Sequence, residues 1–312
     1  MTRALFIVGP SRSGTSVLAQ ALGRHSRIVA TEELHYYNLL RPMSGEDRAG
    51  LWARLVAVQD HSQFFEIKNG TLTDLPEPIL SDLPSSDVPL LRAFIDRIAR
   101  NFGASVVVEQ TPMNLYYLDE IRADFGDPLF VMMRRDPRAI IASQKMRWKI
   151  GEHGTRDIPA NDIARVRYAG HPVLQLMLLR KTLRAMAAAK NASDVVSLAY
   201  EDLVTNPEAV LADLVRRVGL KNEPSMLEVS DAGSSHAAEG QRRGFDPSRL
   251  DGWRQSLTQT EIWLTEKLYA EALVMPSSGA RPRLGESLRL IFSLPFSLAM
   301  AMYYSANGYG DL

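Results

Sequence analysis

An apolar run at residues 4–8 leads without a spacer into Gly9-Pro10-Ser11-Arg12-Ser13-Gly14-Thr15-Ser16, and a helical pattern then continues to Gly23. A strand that turns through glycines into a helix is a phosphate-binding arrangement, because loop N–H groups point inward and the positive end of the helix dipole lies behind them. Gly9 and Gly14 keep the spacing of the G-x-x-x-x-G-K-[ST] nucleotide loop, but Thr15 stands in the lysine position. That lysine reaches the β- and γ-phosphates of a nucleoside triphosphate, so its replacement argues against ATP or GTP hydrolysis. Arg12, inside the loop, offers a substitute cation.

Short apolar runs recur at residues 105–109, 129–133 and 194–199, separated by segments with helical spacing. This alternation predicts an α/β fold of the P-loop type, a three-layer α/β/α arrangement with a mostly parallel central sheet and helical insertions. Residues 70–89 and 230–247 are dense in Pro, Gly, Ser and Asp and read as long loops. We expect one domain over residues 1–280 and an apolar helical extension over 281–312. Lys plus Arg and Asp plus Glu each number 36, so no global basic field argues for nucleic acid. The absence of cysteine excludes disulfides, thiolate metal ligands and a cysteine nucleophile, and fits a reducing cytoplasm. The apolar stretch 288–304 contains Arg289 and Pro295 and is short against the about 20 residues of a spanning helix. It is expected to dock on the core or on a second subunit, with an interfacial helix at a membrane as the alternative.

The loop Pro10-Ser11-Arg12-Ser13-Gly14-Thr15-Ser16 resembles the 5′-phosphosulfate loop of sulfotransferases that use 3′-phosphoadenosine 5′-phosphosulfate (PAPS). It is closest to the Arg-Ser-Gly-Thr branch that includes tyrosylprotein and bacterial sulfotransferases. A second block, Leu129 through Arg134-Arg135-Asp136-Pro137-Arg138 to Ser143, is similar to that family's 3′-phosphate segment. Glu109-Gln110-Thr111-Pro112, Tyr200-Glu201-Asp202-Leu203 and Arg242-Arg243-Gly244 before Trp253 extend the likeness. The resemblance implies PAPS as sulfuryl donor, 3′-phosphoadenosine 5′-phosphate (PAP) as product, a hydroxyl acceptor and no metal. It assigns nucleotide binding to Tyr200, Arg242, Arg243 and Gly244 besides the loop.

Chemistry supports the 3′-phosphate assignment independently. Arg135 at the strand end, with Ser143 and Arg147 one turn apart on the next helix, can converge on one anion. Transfer also needs a base for the acceptor proton and positive charge at the departing phosphate. Glu33 lies after the loop helix, where the resemblance to tyrosylprotein sulfotransferases places their base. Glu32, His35 and Glu109 are its rivals. Gln110 occupies a position where relatives carry lysine, leaving Gln110 itself, Lys68 or Lys145 to steady the sulfuryl group. No His-Glu-x-x-His or comparable spacing points to a metal.

Two other readings remain open on the sequence. A kinase of a small hydroxyl compound shares the strand, loop and helix, and a binding protein that has lost transfer would explain Gln110. The acceptor is a small-molecule, lipid or carbohydrate hydroxyl, and the apolar residues toward the C-terminus favour a hydrophobic one. A homodimer and peripheral membrane contact through residues 285–312 are further expectations. The pairs Tyr36-Tyr37, Tyr116-Tyr117 and Tyr303-Tyr304 are candidates for lining an acceptor pocket.

Overall fold

The computed structural model describes residues 2–31, 33–41, 48–59, 87–149, 160–229 and 245–306. Five strands, β1 (Arg3–Val8), β2 (Ile28–Ala30), β3 (Val106–Glu109), β4 (Leu129–Arg134) and β5 (Val195–Ala199), form one sheet in the order β2-β3-β1-β4-β5. Every pairing is parallel, and β1 lies in the middle, with Leu5 facing Val108 on one side and Leu129 on the other. Continuous apolar strands of this kind require cover on both faces. Leu5 to Val8, Val106 to Val108 and Leu129 to Met133 are accordingly buried.

The expected strands appear within one residue of their predicted ends. β2 was not anticipated, because three residues give too short a run to separate from its surroundings. The helices within residues 1–134 include α1 (Thr15–Gly23), α2 (Arg48–Gln59), α3 (Leu90–Asn101) and α4 (Leu118–Phe125). In α3 the buried set Leu90, Leu91, Phe94, Ile95, Ile98 and Ala99 follows the three-and-four spacing of one helical face. The expected loop at 70–89 lies outside the described residues up to 86, and that at 230–247 up to 244.

The chain divides into two compact units, Met1–Arg134 with Ala185–Val229 and Arg135–Arg184 with Ser230–Leu312. The first holds the whole sheet. In it, β1 has β3 on one side and β4 on the other, so the chain switches direction of winding at the carboxyl end of β1, where open α/β sheets bind ligands.

The second unit contains α5 (Pro137–Lys145), α6 (Ala160–Ala169) and the first part of α7 (Pro172–Ala189). After α8 (Tyr200–Thr205) and α9 (Pro207–Arg217) of the first unit, the chain adds α10 (Trp253–Ser256), α11 (Gln259–Leu268) and α12 (Leu284–Ala306) to the second. Its core joins Ile140 and Ile141 to Leu176, Leu179, Trp253, Leu257 and Ile262. Through this core runs Arg138, fully buried, which donates to Asp136, to Glu266 Oε1 at 2.7 Å and to the carbonyls of Met275 and Pro276. Its guanidinium also lies 4.3 Å from the Trp253 ring.

Candidate active site

The loop after β1 is shaped by three residues with positive φ: Gly9 (+139°), Arg12 (+72°) and Gly14 (+95°). A Cβ on Gly9 would stand 2.6 Å from the Met133 carbonyl oxygen, and one on Gly14 would stand 2.3 Å from Cδ2 of Tyr200. Both positions therefore demand glycine for space as well as for backbone angle. Arg12 adopts the left-handed region at a cost of about 1 kcal/mol. The Ser13 amide donates to the Pro10 carbonyl at 3.1 Å and closes the turn.

This loop is prepared for an anion. No side chain caps α1, and its first turn carries no acidic residue, so the dipole and the leading N–H groups are left for a ligand. The Ser13 hydroxyl is wholly buried without a hydrogen-bond partner among the described residues. Such a group costs about 1–3 kcal/mol unless something supplies its partner. A phosphate or sulfate oxygen meets both requirements.

A second cluster forms where β2 and β3 end. The Thr31 amide extends β2 by donating to the Val108 carbonyl at 2.8 Å, which delivers the next residues to the end of β3. There the buried Glu109 carboxylate accepts from the Leu34 amide (3.2 Å), the Thr111 amide (3.1 Å), the Thr111 hydroxyl and Asn114 Nδ2 (2.5 Å). The His35 amide donates to Thr111 Oγ1 at 3.2 Å, and His35 itself has a φ of +50°. Residues 33–35 are thus pinned by backbone contacts to the tail of β3.

Glu33 Oε2 and His35 Nε2 are 3.1 Å apart, both partly exposed. Burial pulls the His35 pKa down, but the hydrogen bond and charge of Glu33, with the charge of Glu109, outweigh it, and the net position is above 6.5. Asn38 Nδ2 stands 3.4 Å from His35 Nδ1, and Asn38 Oδ1 is buried without a hydrogen-bond partner among the described residues. A half-turn of that amide would present an acceptor in place of a donor, so the site accommodates both charge states of the imidazole. Burial drives the Glu109 pKa from 4.5 to about 7 against the four hydrogen bonds that favour its charged form.

Residues 4–224 match the model of the sulfotransferase family. The chain belongs to the sulfotransferase family. Solved structures that share its fold include two sulfotransferase domains. One is the sulfotransferase domain from the curacin biosynthetic pathway, 20% identical, TM-score 0.53, covering 88% of this chain and 99% of that domain. The other is the sulfotransferase domain from the Synechococcus PCC 7002 olefin synthase, also 20% identical, TM-score 0.54, covering 88% and 96%. No curated protein matches the sequence.

In this sulfotransferase the first unit brings together Pro10 to Ser16, Gln110 and Tyr200. Gln110 is buried, and its Oε1 accepts from the Ser16 hydroxyl at 3.3 Å, which ties the start of α1 to the end of β3. Its amide NH2 has no other partner among the described residues. Tyr200 opens α8 with its ring against Gly14. Tyr37 is core, its hydroxyl donating to Asp124 at 2.8 Å and its ring stacked on Tyr117, so it does not line a pocket.

Arg135, Ser143 and Arg147 belong to the second unit. Ser143 lies on α5, but Arg147 lies beyond it, because α5 ends at Lys145 and the Met146 amide closes the last turn on Ala142. Arg147 follows in a turn and is exposed. Lys145 is occupied: its Nζ donates to Glu261 Oε2 at 2.8 Å and to the Ser256 carbonyl at 3.0 Å. Glu32, Lys68, Arg242, Arg243 and Gly244 lie outside the described residues. Among the described residues, no group of three His, Asp or Glu side chains is placed to hold a metal.

Thr111 and Asn114 had no role in the sequence reading beyond a family-like block, and Asn38 was not singled out. The available signal was a run of polar residues directly after an apolar strand, in Glu109-x-Thr111-x-x-Asn114. A buried carboxylate in that position needs donors, and these residues supply them.

Proposed function

We propose that this sulfotransferase moves a sulfuryl group from PAPS to a hydroxyl acceptor, with the loop Pro10–Ser16 holding the 5′-phosphosulfate and Glu33 taking the acceptor proton. The observation that carries the reading is the loop itself. It has an uncapped helix start and a buried, partnerless Ser13 hydroxyl, yet no lysine at position 15. Those features suit a donor whose reacting end is a single phosphosulfate better than a nucleoside triphosphate.

In the proposed step the acceptor oxygen forms a bond to sulfur as the bond between sulfur and the bridging phosphate oxygen breaks. The acceptor proton passes to a Glu33 carboxylate oxygen, and the electron pair of the broken bond stays on the phosphate of PAP. Loop amides, the α1 dipole and Arg12 stabilise that growing charge. His35 orients Glu33 through their 3.1 Å contact. The Gln110 amide NH2 serves the sulfuryl oxygens in place of the lysine of relatives. The resemblance assigns the donor's 3′-phosphate to Arg135 and Ser143, and no step requires a metal.

Calorimetric titration with PAP, run beside ADP and ATP with Mg²⁺, tests the proposal. PAP is expected to bind well above ADP. A preference for Mg²⁺-ATP with no response to PAP would replace it with the kinase reading.

A further inference from the structure

Helix α12 turns a mixed side inward and an apolar side outward. Its packed side carries Ser287, Ser293 and Ser297 beside the half-buried Leu290, Leu294, Met300 and Tyr304, and Ser293 Oγ lies 3.0 Å from His171 Nε2. The Glu286 carboxylate on the same side accepts from the Thr260 amide at 2.9 Å. The outward face carries Leu284, Leu288, Ile291, Phe292, Phe296 and Met302, with Phe292 75% and Ile291 64% exposed. An ordinary surface helix carries charged and polar residues on its outward face. A contiguous patch of this kind on a folded protein marks a surface that another apolar phase covers.

The charges around the face indicate which phase. Arg281, Arg283 and Arg289 are exposed at its start and along it, against a single acid, Glu286, whose carboxylate is turned to Thr260 and lies 3.7 Å from Arg283. Arginines at the N-terminal end of a helix oppose its dipole, so they do not serve the helix. A second copy of the chain packed in parallel on this face, about a twofold axis along the helix, would set these arginines against their own counterparts. Anionic lipid headgroups complement them. The 21 residues Leu284–Tyr304 are long and apolar enough to cross a bilayer by length and composition. Spanning would nevertheless carry the polar contacts to His171 and Thr260 into hydrocarbon, where such groups are expensive. Lying in the headgroup layer satisfies both faces.

We propose that the outward face of α12 docks this protein on the surface of an anionic lipid bilayer, with Ile291 and Phe292 entering the acyl boundary and Arg281, Arg283 and Arg289 facing headgroups. The test is flotation of the full chain with vesicles of phosphatidylcholine alone or mixed with phosphatidylglycerol. The protein is expected to float with the mixed vesicles and remain below with phosphatidylcholine alone. The pair Ile291→Ser and Phe292→Ser should lower the bound fraction about tenfold or more with an unchanged thermal melt, since both side chains are exposed. The pair Arg281→Glu and Arg289→Glu should remove the preference for phosphatidylglycerol. Failure of the wild-type protein to float, or equal flotation of the double serine variant, would overturn the proposal. So would a dimer in sedimentation velocity that the same two serines dissociate.

Discussion

Glu33 Oε2 and His35 Nε2 meet at 3.1 Å across Leu34, whose own amide is held by buried Glu109 at 3.2 Å. The carboxylate proposed as base is therefore fixed on both sides, by an imidazole it touches and by a backbone anchor beside it. If Glu33 takes the acceptor proton, Glu33→Gln should lower kcat by about 10²- to 10⁴-fold while PAP affinity is kept. Single-turnover kinetics beside calorimetry would check this, and activity near wild type would transfer the role to His35 or Glu32.

Glu109 makes a prediction about pH. Its pKa in the fold is raised to about 7 from 4.5, so the folded protein binds a proton that the unfolded chain has already released. The stability tied to that proton is fully present below pH 4.5 and is lost as pH rises through 7, a difference of about 3 kcal/mol. His35, raised above 6.5, adds a loss of the same sign at higher pH. Urea denaturation across this range should show wild-type stability falling, and Glu109→Gln should flatten the part between 4.5 and 7. An unchanged slope in that variant would show that Glu109 titrates normally.

Arg138 should be the most damaging single site in the second unit. It is fully buried and is bonded to two carboxylates, Asp136 and Glu266. Arg138→Met would leave both without their cation, a loss of about 3–5 kcal/mol. Replacing Arg138 together with Asp136 and Glu266 by apolar residues should cost less than Arg138→Met alone, because no uncompensated charge remains. Thermal unfolding of the two variants compares them directly.

Elements defined by local pattern were legible in the sequence, and those defined by distant partners were not. The runs at 4–8, 105–109, 129–133 and 194–199 declare themselves because parallel strands buried on both faces are apolar throughout. The glycines of the loop after β1 are equally plain. By contrast, the anchoring of Leu34 by Glu109 joins residues 75 apart, and neither position carries a local mark of the other. Arg147 failed as a helical neighbour of Ser143 because a helix end is set by tertiary packing as much as by propensity, and residues 145–149 contain no helix breaker. The apolar outward face of α12 was also hidden, since composition shows apolar content and not which side of the helix meets the protein.

Ser13 separates binding from stability. Its hydroxyl is buried and partnerless among the described residues, while the Ser13 amide is already committed to Pro10. Ser13→Ala deletes an unsatisfied polar group without changing the loop backbone, so the ligand-free protein should gain about 1 kcal/mol or more. If the hydroxyl serves the 5′-phosphosulfate, the same variant should bind PAP about tenfold more weakly. Gly14→Ala should instead lose both, because its Cβ would stand 2.3 Å from Tyr200 and its φ of +95° is one a side chain rarely adopts. Melting temperature and PAP titration of the two variants distinguish the cases. A Ser13→Ala protein that is more stable and binds PAP as tightly as wild type would show that the hydroxyl has no part in holding the donor.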